Sequence, residues 1–155
     1  LKTGVGPMAA VAGAIAEGVG SRLLQRSPEV VVENGGDVFI KALRPLRVAI
    51  YAGDSPLSMR IGLEIAPERT PLGVCTSSAT VGHSESFGRA DAVCVVARSC
   101  ALADAAATAL GNRVKGEEDL EEALEAAGGI EGVEAVVIVL GDKLALWGDH
   151  PLVEV

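Results

Sequence analysis

Apolar residues return every three or four positions from Pro7 to Arg26, at Met8, Val11, Ile15, Val19 and Leu23, which is the period of one helical face. Pro7 suits the first turn of such a helix, where a missing amide hydrogen costs nothing. The positions between are mostly Ala and Gly (Ala9, Ala12, Gly13, Ala16, Gly20), so this helix can approach a sheet closely but has weak propensity of its own. The period then changes. Val30-Val31-Val32 and Val38-Phe39-Ile40 flank Asn34-Gly35-Gly36, predicting a hairpin whose loop residues accept positive φ, and Val48-Ala49-Ile50-Tyr51 predicts a strand that extends the same sheet. From Gly53 to Ala90 the chain is rich in Gly, Pro, Ser and Thr, with one short candidate strand at Ile61 to Ile65. That stretch reads as loop, and loops on a rigid frame are where chemistry tends to sit.

The last third is more regular. Val93 to Ala97 predicts a buried strand, Ala101 to Asn112 a helix, and Glu117 to Ala127 a second helix with Glu117, Glu118 and Asp119 at its positive end and Gly128-Gly129 at its exit. Val133 to Leu140 and Lys143 to Trp147 flank Gly141-Asp142 as a closing hairpin. Strand, helix, helix, strand, strand is a mostly antiparallel pattern with helices on one face, which makes the fold class α+β.

Composition narrows the partners. A chain of 155 residues is long enough to bury a core of its own, and one domain over 1–155 is the expectation. Acidic residues outnumber basic ones 21 to 13, giving a net charge of −8 with no Lys/Arg cluster, so a phosphate backbone would be repelled and no nucleic acid is expected as partner. No apolar run is long enough to span a bilayer and no secretion signal opens the chain, so membrane and export are unsupported. Cys75, Cys94 and Cys100 form no C-x-x-C pair and are odd in number, which suits a reducing, cytoplasmic setting. The chain starts on Leu1 and enters helix almost at once, and it reads as the C-terminal part of a longer protein.

Four groups of residues carry candidate chemistry. Asp104 and Thr108 stand at i and i+4, which places both oxygens on one helical stripe. A carboxylate and a hydroxyl so placed fit a hard cation such as Mg2+, which takes oxygen ligands and commonly bridges to phosphates. Spacing alone favours the plainer reading, in which Asp104 serves the dipole in the first turn of a helix capped by Ser99 while Thr108 faces water. Asn34-Gly35-Gly36-Asp37 is explained by a tight turn, or by backbone that must come close to a ligand with Glu33 or Asn34 making polar contacts. Cys75-Thr76-Ser77-Ser78 followed by Gly82-His83-Ser84 is the densest polar chemistry in the chain, and Cys75 with His83 is a candidate nucleophile pair. The cysteine spacing fits no usual zinc pattern. Gly4-Val5-Gly6-Pro7-Met8-Ala9 matches a dinucleotide fingerprint, but no strand precedes it and the later segments do not alternate strand with helix.

Taken in order, VENGGD, CTSSATVGH, SFGRADAV and ALADAAATALGN resemble the ApbE superfamily, and more closely its uncharacterised cytoplasmic branch, over nearly the whole chain. The resemblance implies a two-layer sandwich of T-fold type and FAD with Mg2+ as cofactors. It implies Asp104 and Thr108 as metal ligands, and Asn34, Gly35 and Gly36 near the flavin. Thr76, Ser77 and His83 would line the reaction site. The reaction implied is attack by a protein Ser or Thr hydroxyl on the FAD pyrophosphate, with AMP leaving and FMN attached to the acceptor. The alternatives are a non-catalytic flavin or nucleotide binder, and a sulfur-assimilation factor using Cys75. After His83 the chain reads Ser-Glu-Ser-Phe-Gly where the transferases continue His-Ile-Ile-Asp-Pro, which leaves Asp91 as the nearest match to their acid. Expected partners are a flavin-acceptor protein and, in a homo-oligomer, further copies of this chain.

Overall fold

The computed structural model describes residues 3–81 and 86–155. Its centre is a six-stranded, wholly antiparallel sheet in the order β1-β2-β5-β6-β7-β8, built from β1 (Val30–Asn34), β2 (Asp37–Lys41), β5 (Leu72–Ser77), β6 (Ala92–Ala97), β7 (Val133–Leu140) and β8 (Lys143–Gly148). Three helices, α1 (Val11–Leu23), α2 (Cys100–Gly111) and α3 (Leu120–Gly128), cover one face. The fold is thus α+β with helices on one side, as the pattern predicts. The other face carries a three-stranded antiparallel sheet in the order β3-β4-β9, from β3 (Leu46–Ala49), β4 (Ile61–Ile65) and β9 (Leu152–Glu154).

Both faces of the central sheet are therefore buried, and β6 reads Ala-Val-Cys-Val-Val-Ala with every residue buried. Alternation divides these strands between two cores. Phe39, Cys75, Val93 and Val95 meet the helices, whereas Ile40, Val74, Cys94 and Val96 meet the small sheet.

Three expectations change. The strand expected at Val48 to Tyr51 runs over Leu46–Ala49 and belongs to the small sheet, because both edges of β2 are already taken, by β1 and by β5. Part of the supposed loop region is β5, a strand in the interior of the sheet. On α1, the apolar row that marks the helix is not the row that packs. Met8 is 80% exposed and Val11, Ile15, Val19 and Leu23 also face outward, while Gly13, Ala16 and Gly20 are buried. Space decides this: a Cβ on Gly13 would stand 2.4 Å from the Cys100 carbonyl oxygen, and one on Gly20 would stand 2.1 Å from Phe39. Only the small face of α1 fits against α2 and β2.

Candidate functional site

The β1–β2 hairpin turns through Gly35 and Gly36 at φ of 65° and 98°, as a two-residue loop of this kind requires. Around Gly35 the space is open, and a Cβ there would meet nothing within 4 Å. Alternation along the hairpin sends Asn34 and Asp37 to the helix side. Asn34 Nδ2 donates to the Ala12 carbonyl oxygen at 3.1 Å, tying the turn to α1.

Next to this turn α2 lies along β5. Ser99 caps the helix, accepting the Leu102 amide at 3.1 Å. Cys100 sits over Gly73, where a Cβ would come within 2.5 Å of the Cys100 Cα, and Gly111 lies near Ser77 at the other end of the strand. Asp104 and Thr108, both partly buried, lie on the helix between these points. One Asp104 oxygen, Oδ2, accepts the Gly13 amide of α1 at 2.9 Å. Among the described residues its Oδ1 and the Thr108 hydroxyl have no hydrogen-bond partner.

Electrostatics make this corner distinctive. Asp37 is only 7% exposed, and its pKa is raised to about 7, first by burial and then by the nearby Asp104 charge, against the opposing hydrogen bonds of Cys75 and Thr76. Asp104 is also raised by burial, with the Gly13 amide opposing. Two carboxylates that both resist ionisation and sit close enough to feel each other favour either a proton or a cation between them. Among the described residues no three His, Cys, Asp or Glu side chains form a metal centre. Asp104, with the neighbouring hydroxyl of Thr108, instead forms a partial set of oxygen donors of the kind a hard cation takes. In the sequence Asp37 reads as a turn residue, but strict alternation along β2 places this acid on the same face as Phe39, which is the signal that singles it out.

Other expected site residues are distributed as follows. Ser77 ends β5 on the α2 side. Thr76 lies on the opposite face of the strand, across from Cys94 of β6, so alternation separates the hydroxyls of Thr76 and Ser77. Only the backbone of Thr76 reaches the turn, donating to the Gly36 carbonyl oxygen at 3.2 Å. His83 lies outside the described residues. The Asp104 of α2 is not in the helix's first turn, so the dipole does not account for it. Asp91 holds loops together, accepting the Thr80 hydroxyl at 3.2 Å and the Gly141 amide at 2.7 Å. Cys75 is fully buried and donates to the Cys100 carbonyl oxygen at 3.4 Å, and its thiol is pushed up by that neighbour and by burial. A thiolate is disfavoured there, which argues against Cys75 as a nucleophile or sulfur carrier.

This fold and corner define a class. The chain belongs to the family described as AbpE bacteria, whose profile matches residues 1–146. It is 45% identical over 152 residues to a UPF0280 protein of Methanocaldococcus jannaschii, covering 95% of this chain and 62% of that protein. To a UPF0280 protein of Methanocella arvoryzae it is 48% identical over 151 residues, covering 97% of this chain and 61% of the relative. The chain thus spans about three-fifths of the length of these relatives. Its fold matches the apo flavinyl transferase ApbE of Pseudomonas stutzeri with a TM-score of 0.59 at 20% identity, over 90% of this chain and 46% of that one. The flavin transferase ApbE of Vibrio cholerae matches with a TM-score of 0.57 at 22% identity, over 88% of this chain and 47% of that one. No helix among the described residues is long and apolar enough to cross a membrane.

Proposed function

We propose that this chain carries the cofactor-binding face of a flavin-transferase-like protein, which binds FAD together with Mg2+ and transfers FMN to a Ser or Thr hydroxyl of an acceptor protein. The observation that supports this most is the under-compensated carboxylate pair Asp37 and Asp104 beside Thr108, next to a turn whose Gly35 backbone is open. Asp104 Oδ1 and the Thr108 hydroxyl would hold the cation, Asp104 being oriented by the Gly13 amide. Held there, Mg2+ would supply charge neutralisation for the diphosphate. Asn34, Gly35 and Gly36 leave room for the flavin side of the ligand, and Ser77 contributes a hydroxyl at the edge of the same face. In the transfer the acceptor oxygen forms a bond to the FMN phosphorus, the bond to AMP breaks, and His83 is proposed to take the hydroxyl proton. The three free, buried cysteines suit the cytoplasmic setting proposed for it.

The test is FAD titration followed by flavin fluorescence, with and without Mg2+, for the native chain and Asp104→Ala. Metal-dependent binding that weakens by about tenfold or more in the variant supports the reading. Equal affinity in all four conditions sinks it. A second reading, binding without transfer, is favoured by the Thr76 hydroxyl, which lies on the sheet face away from α2, and by the engagement of both Asp91 oxygens. AMP release on adding an acceptor protein decides between the two.

A further inference from the structure

At the opposite end of the central sheet, where β5 begins and β6 ends, a cleft of about 410 Å³ opens between Arg69, Arg98, Glu134 and Trp147. In a chain with net charge −8, two arginines converge here on one carboxylate. Glu134 Oε2 accepts from Arg69 Nη2 at 2.8 Å and pairs with His150 Nε2 at 3.2 Å, and Oε1 faces Arg98 Nε at 3.7 Å. His150 is 2% exposed, and because a carboxylate can only accept, its proton sits on Nε2. Glu134 is thereby fixed from the protein side and in turn holds Nη2 of Arg69, while the exposed Arg98 stands beside it at ion-pair distance. Among the described residues the other guanidinium nitrogens, Nη1 and Nε of Arg69 and both Nη of Arg98, have no hydrogen-bond partner.

We propose that this cleft is a second ligand site, distinct from the Asp104 corner, which takes the phosphate or carboxylate group of a small molecule between the outer nitrogens of Arg69 and Arg98. The two Nη of Arg98 form one edge of the guanidinium, the fork geometry that matches two oxygens of an oxyanion, and Arg69, oriented through Nη2, adds its remaining N–H donors beside it. The cleft is larger than the oxyanion itself and within the range of small-molecule sites, which leaves room for the body of the ligand against Trp147. Asp149 also lines the cleft, so its two arginines stand beside two carboxylates.

The chain's single tryptophan lines this cleft, so its fluorescence is a probe of it. Inorganic phosphate and malonate are titrated separately at constant ionic strength into the native chain, Arg98→Glu, Arg69→Lys and Asp104→Ala. The expected result is a saturable change in emission with at least one of the two anions, weakened about tenfold or more in Arg98→Glu, partly kept in Arg69→Lys and unchanged in Asp104→Ala. Saturation by phosphate alone assigns a phosphate group, and by malonate alone a carboxylate. A change that never saturates, that chloride reproduces, or that Arg98→Glu leaves intact overturns the proposal. Arg98 is 82% exposed, so its charge reversal leaves the fold standing.

Discussion

The two ends of the central sheet treat buried acid in opposite ways. At the β7 start, Glu134 has Arg69, Arg98 and His150 around it, and its two oxygens are shared among three nitrogen-bearing side chains. At the β2 start, Asp37 and Asp104 have only amides and a thiol, and among the described residues neither forms an ion pair. The first arrangement stabilises a carboxylate inside the protein. The second raises the pKa of one, which is a cost to the empty protein that a bound cation would offset. A fold that compensates one acid fully and leaves two others wanting marks the second place as the one where charge from outside belongs.

The contrast is broken most severely by Glu134→Ala. Removing the carboxylate leaves Arg69 and the buried His150 without their partner, a loss of about 3 kcal/mol. That corresponds to a fall of roughly 6–12 °C in Tm for a chain of this size, read by circular dichroism. A fall of under about 2 °C would mean the network contributes little.

Asp37→Asn acts at the other end and in the other direction. The folded-state pKa of Asp37, about 7, lies above its ordinary value of 3.8, so the fold prefers the protonated acid. Its contribution is fully present below the unfolded value and is lost as pH rises through about 7. The amide mimics the protonated acid, and the variant should therefore match the native chain near pH 4 and exceed it by about 1–2 kcal/mol at pH 8. Chemical denaturation at the two pH values checks this, and a variant less stable at pH 8 refutes the assignment.

The smallest effect sharpens the comparison from within the paired end. Arg98 is exposed and meets Glu134 only at 3.7 Å, so Arg98→Ala should change stability by no more than about 0.5 kcal/mol. If it matched Glu134→Ala, the network would act as one cooperative unit instead of resting on Arg69 and His150.

Much of this was readable in order along the chain. The helix with Asp104 and Thr108, the helix from Glu117 onward and the two glycine-turned hairpins all follow from periodicity and turn chemistry, and each of these signals is local. Asp37 was hidden because Asn-Gly-Gly-Asp is sufficiently explained as a turn. β5 was hidden because Pro71 introduces it and Cys75-Thr76-Ser77-Ser78 ends it, which is loop-like composition for a strand in the middle of a sheet. The Glu134 cluster joins residues far apart in the chain, and no spacing rule connects Arg69, Arg98, Glu134 and His150.

By itself, the order of residues determined which segments are helices and hairpins and that Asp104 and Thr108 share a stripe, because a period of 3.6 or 2 is a property of neighbours. Tertiary structure alone decided which face of α1 is buried, which face of β5 carries each hydroxyl, and which acids find cations. Those outcomes depend on what stands across the interface, and contact, burial and Coulomb energy are set by distances between residues that the chain brings together only when it folds.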